Sequence, residues 1–147
     1  MSAKFIIAIG VFLYTIVNFA RKSKDINKRL NSYRSLDKFA KIARDNLNGE
    51  FDNISNIISS VFELSEECII DHKLLNSIGF KDSEIDKIME YTIMYNQLDI
   101  YSLRNAAAEF CDFTTELRQK SESEYKKNTA SLLCLPICSL ILIILII

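Results

Sequence analysis

Apolar residues recur at helical spacing through most of the chain. The first series steps by three and four residues through Ile26, Leu30, Tyr33, Leu36, Ala40, Ala43 and Leu47. Positions spaced in this way fall on one face of an α-helix, and Gly49 is suited to end that helix. The pattern predicts a long amphipathic helix at the start of the folded part of the chain.

Three further series have the same spacing and predict three further helical faces. They are Phe51, Ile54, Ile58, Val61 and Phe62; then Ile85, Ile88, Met89 and Thr92; and last Ile100, Leu103, Ala107, Phe110, Thr114 and Leu117. A short apolar stretch, "KLLNSIGF", precedes "SEID", which approximates a Ser-x-x-acid capping box. We predict an all-α fold in which four to six helices form one bundle.

Both ends of the chain are apolar on every face. The run over 5–20, "FIIAIGVFLYTIVNFA", would be about 24 Å long as a helix, slightly less than the roughly 30 Å of a bilayer's hydrocarbon core. The run over 131–147 is mostly Leu, Ile and Cys. We predict a transmembrane helix over 1–21, a helical bundle with a polar stalk over 22–129 and a second transmembrane helix over 130–147. A cleaved signal peptide is the alternative for the first run, although its basic residues mostly follow it.

The stalk reads "RQKSESEYKKN" and is polar on every face apart from Tyr125. A helix of that kind bridges solvent instead of packing. We therefore expect one continuous helix from the end of the bundle into the second span.

Basic residues concentrate on the inner side of both apolar runs. They are Arg21, Lys22, Lys24, Lys28 and Arg29 after the first, and Arg118, Lys120, Lys126 and Lys127 before the second. By the positive-inside rule the middle of the chain faces the cytosol and both termini face away. The net charge of −1 gives no basic surface for a nucleic-acid partner.

The four cysteines divide between the middle and the apolar tail. We expect Cys68 and Cys111 to be free thiols in a reducing compartment, with a disulfide between them as the alternative. Cys134 and Cys138 share one helix face, where packing against another helix is favoured over lipidation.

Candidate chemistry is sparse. His72 is the single histidine, and we expect it at the surface near a helix start, because no further ligands or nucleophile accompany it. Glu63, Glu66 and Glu67 are expected to form a solvated face, with contact to a partner as the alternative. The isolated glycines form no phosphate-binding loop. We predict no enzymatic activity, no metal, no cofactor and no small-molecule substrate.

The richest aromatic and methionine segment is "EYTIMYNQLDIY" over 90–101, with Asp99 as the expected N-cap of the last helix. Core packing at a helix-to-helix corner is the simpler interpretation. Tyr and Met are also favoured at interfaces, so the segment is a candidate docking corner for a partner, formed by Tyr91, Met94, Tyr95 and Asp99.

The same segment resembles a motif of the stage III sporulation protein AB family. That family carries Phe-Gly-x-x-Leu-Gly-x-x-Asp after an acidic helix start; here Tyr91 stands for the Phe, Tyr95 for the Leu, and Asp99 is kept. Thr92 and Asn96 replace the two glycines. The stretch "EYKKNTASLL" before the last span and "IGVFLYTIVNFARK" in the first are also similar to the family's.

The resemblance implies a non-enzymatic platform component of the channel complex between mother cell and forespore, required for endospore formation. Such a protein would lie in the outer forespore membrane with its bundle in the mother-cell cytosol. The bundle would be similar to the cytosolic domain of type II secretion platform proteins. Its expected partners are a secretion-type ATPase and other sporulation channel proteins.

Two other functions compete with a platform. A membrane-anchored extracytoplasmic sensor or binding domain would share the layout, but we expect a sensor to have a signalling domain after its second span and a bundle outside the cytosol. A small membrane-lysis protein would not require the folded middle. The platform is the favoured hypothesis.

Overall fold

The computed structural model of the chain describes residues 3–47, 54–64, 71–97 and 99–146. Within these ranges it does not describe the side chains at 3–6, 8, 131–133, 135, 136, 139 and 142–146. The described residues form five α-helices. The helices are α1 (Ala3–Asn46), α2 (Ile54–Phe62), α3 (His72–Ile78), α4 (Asp82–Gln97) and α5 (Ile100–Ile146). The described ranges contain no strand. The all-α helical bundle predicted from the spacing of apolar residues is confirmed.

The chain divides into two units. One contains Arg29–Ser121, which we call the bundle, and the other contains Met1–Lys28 and Glu122–Ile147. The polar stretch after Leu117 lies within α5, which runs on into the apolar tail. The prediction of one continuous helix through this stretch is therefore confirmed.

The bundle's core is made by the faces that the spacing predicts. Its fully buried large residues include Leu36, Ile54, Ile58, Ile85, Ile88 and Leu103. Phe39, also fully buried, lies beside the predicted face of α1, whereas Ile100 of the last series is half exposed at the first position of α5. The face that α1 buries is thus wider than its apolar series indicates.

α3 is short, and the residues that flank it in sequence cap both of its ends. Asp71 is the N-cap, and its Oδ1 accepts a hydrogen bond of 2.7 Å from the Leu74 amide. Gly79 ends the helix with φ of 115°, a left-handed conformation that glycine adopts without a Cβ clash. The turn leads into the buried ring of Phe80.

The start of α4 differs from the predicted capping box. Ser83 and Asp86 both lie inside the helix, and the Lys81 amide donates to Glu84 Oε2 at 2.9 Å. The reciprocal half of a capping box is therefore formed by Glu84, three residues after Lys81. The predicted Ser83–Asp86 box is wrong because the helix begins one residue earlier than Ser83.

Within the described residues, no helix has both the length and the apolarity needed to cross a membrane. Several side chains of the apolar ends lie outside those residues, and the spans over 1–21 and 130–147 stay predictions. The expected helix end at Gly49, the apolar position Phe51, the acidic pair Glu66 and Glu67, and Cys68 also lie outside the described residues.

Candidate functional site

The candidate docking residues lie at and before the corner where α4 ends and α5 begins. Asp99 caps α5: its Oδ1 accepts from the Tyr101 and Ser102 amides, both at 3.0 Å, and its Oδ2 accepts from Ser102 Oγ at 2.8 Å. Hydrogen bonds from Ser102 are the main cause that holds the pKa of Asp99 below its ordinary value. Both carboxylate oxygens are thus engaged in starting the helix.

Tyr91 and Tyr95 lie in the core instead of on the surface, with exposed fractions of 3% and 5%. The Tyr91 ring stacks on Phe110 of α5, with centroids 4.1 Å apart and planes 8° from parallel. Phe39 of α1 packs edge-on against both, with centroids 6.4 Å from Tyr91 and 6.1 Å from Phe110. Aromatic pairs in these arrangements are favourable beyond the area that they bury. This cluster holds α1, α4 and α5 together.

The hydroxyl of Tyr91 is buried and has no hydrogen-bond partner among the described residues. Burial is the main cause that raises its pKa, and the neighbouring Cys111 thiol and Tyr95 phenol raise it further. Cys111 is a free, buried thiol that donates to the Ala40 carbonyl at 3.3 Å. The described structure thus gives Cys111 a packing role between α1 and α5.

A cleft of about 170 Å³ opens on the outer side of this cluster, between α4 and α5. We call it the α4–α5 cleft; its lining residues are Lys87, Glu90, Tyr91, Met94, Ala106, Glu109, Phe110 and Phe113. The α4–α5 contacts pair Tyr91 with Phe110 and Lys87 with Phe113, so the two helices run antiparallel. Tyr91 and Met94 are the only two of the four candidate docking residues that line the cleft.

The rim of the cleft is charged. Lys87 Nζ lies 4.4 Å from the centroid of the Phe113 ring, a cation–π distance. Glu90 and Glu109 are exposed on opposite sides, one on each helix. Neither glutamate forms an ion pair within the part of the chain that the structure describes.

Buried carboxylates fasten the two walls of the cleft to α1. Asp37 of α1 accepts from Thr115 Oγ1 at 2.9 Å and pairs with Arg118 Nε at 3.0 Å, both on α5, and with Lys41 Nζ at 2.8 Å. Burial by itself raises the pKa of Asp37, but the hydrogen bonds from Lys41 and Thr115 and the nearby positive charges outweigh it, so the pKa is lowered.

The second buried carboxylate is Glu84 of α4. It accepts from the Tyr33 hydroxyl of α1 at 2.8 and 2.9 Å, in addition to the Lys81 amide. Arg29 in turn donates to the Tyr33 oxygen at 3.0 and 3.1 Å. Desolvation is the main cause that raises the pKa of Tyr33 to about 12. These bonds join α1 to α4 through the core.

His72 and Glu63, two residues that the sequence singled out, do not line the cleft. His72 is exposed at the first position of α3, with Nε2 3.5 Å from Asp86 Oδ1, as expected for a surface histidine near a helix start. Glu63 is exposed at the end of α2. Among the described side chains, no group of three or more His, Cys, Asp or Glu is placed to hold a metal. What the α4–α5 cleft offers chemically is binding through apolar contact and charge.

The aromatic segment over 90–101 indicated Met94, but not the α5 side of the cleft. Ala106, Glu109 and Phe113 lie seven residues or more beyond Asp99, within a helix predicted only as a core element. Pairing α4 with α5 as an antiparallel hairpin about the Asp99 cap would have placed them opposite Met94 and Glu90.

Comparison of the chain with protein-family models, with curated proteins and with solved structures finds no match in any of the three.

Proposed function

We propose that the chain is a membrane-anchored, non-enzymatic platform protein whose bundle binds other proteins at the cytosolic face of the membrane. The observation that carries the proposal is the exposure of large apolar side chains at the start of α1. They are Ile7, Ile9, Val11, Leu13, Tyr14, Ile16 and Val17. At 100° per residue these positions, together with the partly exposed Phe12, are distributed over all sides of the helix. A helix that is apolar all round belongs in a protein core or in a bilayer.

The apolar tail of α5 supports the same anchoring. Ile137, Leu140 and Ile141 are exposed, and the sequence over 140–147 contains only Leu and Ile. Leaving such surface in water would cost roughly 25 cal/mol per Å² of apolar area. A lipid environment at both ends of the chain removes that cost.

The bundle's place in the cytosol is inferred from charge. Basic residues follow the first apolar run and precede the second, whereas Lys4 alone lies on the far side of either run. Translocating the middle of the chain would oppose the positive-inside bias at both ends. A cytosolic bundle satisfies it at both ends.

The sequence resemblance also points to a particular complex. On the resemblance of the 91–99 motif to the stage III sporulation protein AB family, the chain is a component of the mother cell–forespore channel, in the outer forespore membrane. A secretion-type ATPase is its cytosolic partner, together with other channel proteins. The exposed α4–α5 cleft beside that motif supports a binding role without catalysis.

Co-purification tests this proposal. The full chain, extracted in mild detergent from membranes of an endospore-forming host, is expected to retain the secretion-type ATPase expressed with it and to resist extraction by alkaline carbonate. Release by carbonate would rule out membrane anchoring. Retention in the membrane without the ATPase would leave the anchor in place and remove the ATPase as partner.

A further inference from the structure

We propose that the α4–α5 cleft binds a short amphipathic helix of a partner protein, and that this helix carries a Lys or Arg beside its apolar side chains. The inference rests on the proposed function, because it names the surface and the partner chemistry that a platform bundle would use. Three features of the cleft support it: its apolar floor, its uncompensated rim charges and its rigid walls.

The floor of the cleft suits a helix of about two turns. From Ala106 to Phe113 the α5 wall extends roughly 10 Å, which matches two apolar side chains one turn apart on a docked helix. Met94, Ala106 and Phe113 are half-buried, so each still presents apolar surface to an incoming side chain. Methionine adapts its shape readily to such partners.

The carboxylates on the rim of the cleft favour a partner helix with a positive charge. Glu90 and Glu109 present two carboxylates from opposite walls, and neither has an ion-pair partner among the described residues. Lys87, the one cation of the lining, lies over Phe113. A basic side chain placed over the cleft would be attracted by both carboxylates, whereas an acidic one would be repelled by both.

The walls of the cleft are fixed before any partner binds. Asp37 holds α5 to α1 through Thr115 and Arg118, and the stack of Tyr91 on Phe110 joins α4 to α5 beneath the floor. A preformed site loses little conformational freedom on binding. The cleft therefore has the properties of a docking groove and not of a gap left by loose packing.

Site-specific photo-cross-linking tests the proposal in the full chain, in membranes of the cells that make it. A photoreactive amino acid replaces Ala106 in the cleft or, as a control, Lys38 on the exposed side of α1. We expect an adduct from position 106 that maps to a helical segment with Lys or Arg within one turn of its apolar residues. An equal yield from both positions, or an acidic mapped segment, would overturn the proposal.

Charge reversal then tests the rim. Glu109→Lys is expected to reduce the adduct from position 106 by about tenfold, because it turns attraction into repulsion. Glu124→Lys, the same change at an exposed position of α5 outside the cleft, is expected to leave it unchanged. Lys→Glu or Arg→Glu in the mapped segment should restore the adduct of Glu109→Lys. If Glu109→Lys leaves the yield of the adduct from position 106 unchanged, the partner is not recognised through a basic side chain.

The two proposals fail in different ways. If the ATPase co-purifies but position 106 gives no adduct, the platform stands and the cleft is not its docking site. If position 106 gives the charge-dependent adduct but the ATPase does not co-purify, the cleft stands and the ATPase assignment falls. Far-UV circular dichroism of Glu109→Lys, whose side chain is exposed, checks that the helices are intact.

Discussion

Asp37 joins α1 to α5 through two polar contacts. Its buried carboxylate meets Thr115 and Arg118 across the helix pair and Lys41 one turn along its own helix. Asp37→Ala would remove the acceptor of these contacts, and we expect it to lower the free energy of unfolding by about 1–2 kcal/mol, because Lys41 and Arg118 are partly exposed and can be hydrated. Denaturation in mild detergent, followed by circular dichroism, measures this. Lys38→Ala, at the exposed neighbouring position, is the control and should change little.

The Asp37 carboxylate also makes the stability of the fold depend on pH in the acid range. Because its pKa in the folded protein lies below the ordinary value of 3.8, folding favours the ionised form. The stabilisation is complete above pH 3.8 and is lost as the pH falls through the lowered pKa. Asp37→Asn should flatten part of this acid transition, with Asp99, whose pKa is also lowered, providing part of the rest. An unchanged acid transition in Asp37→Asn would show that the carboxylate is not stabilised as described.

Tyr33 gives the stability the opposite dependence on pH. Its hydroxyl donates to Glu84, and Tyr33→Phe should lower the free energy of unfolding at neutral pH by about 2 kcal/mol, since a buried carboxylate loses a donor. The raised pKa of about 12 against an ordinary 10 means that folding favours the neutral phenol. Stability is thus complete below pH 10 and is lost between pH 10 and about 12. An alkaline unfolding series should show a smaller loss in Tyr33→Phe than in Tyr101→Phe, where the altered ring is exposed.

At the level of the helices, substitutions of Asp99 distinguish a role in capping α5 from a role in docking a partner. Both Asp99 oxygens serve the start of α5, and an Asn at the N-cap satisfies the same amides. We expect Asp99→Asn to keep the thermal midpoint and the partner adduct of the cleft, whereas Asp99→Ala lowers the midpoint. Thermal unfolding and cross-linking from position 106 measure the two effects. A stable Asp99→Asn that loses the adduct would make the carboxylate a direct contact.

Helix positions were predictable because apolar spacing is a local property of the sequence. The series that contain Leu30, Ile54 and Ile85 all supply buried core residues. The width of the α1 face was not predictable, because Phe39 is buried by contacts from α4 and α5 that depend on tertiary packing. The start of α4 was misplaced for a related reason: a buried Glu84, held by Tyr33 from another helix, caps it.

The candidate site was predictable only on its α4 side. Met94 belongs to a visibly aromatic and methionine-rich segment, whereas Glu109 and Phe113 belong to a helix whose partner was unknown from the sequence. Tyr91 and Tyr95, chosen for the same segment, are core residues, because the Tyr and Met that favour interfaces favour cores as well. A surface is defined by what two helices expose together, and local pattern does not contain that pairing.

For the whole molecule, the binding of a cytosolic partner depends on which side of the membrane holds the bundle. Anchoring by two apolar ends and a cytosolic bundle are inferred from apolar exposure and from the placement of basic residues. A cytosolic ATPase can bind only if that inference is right. The side of the membrane that holds the bundle is therefore the property to measure first.

Thiol accessibility measures it directly. The four cysteines are replaced, with Cys111→Ala because that thiol is buried, and one cysteine is introduced by Ser123→Cys, an exposed position of α5, or by Ser2→Cys near the amino terminus. In non-sporulating cells that carry the chain in their plasma membrane, we expect a membrane-impermeant maleimide to label Ser2→Cys from outside and Ser123→Cys only after lysis. Labelling of Ser123→Cys in intact cells would place the bundle outside the cytosol, exclude a cytosolic ATPase, and favour an extracytoplasmic sensor or binding domain.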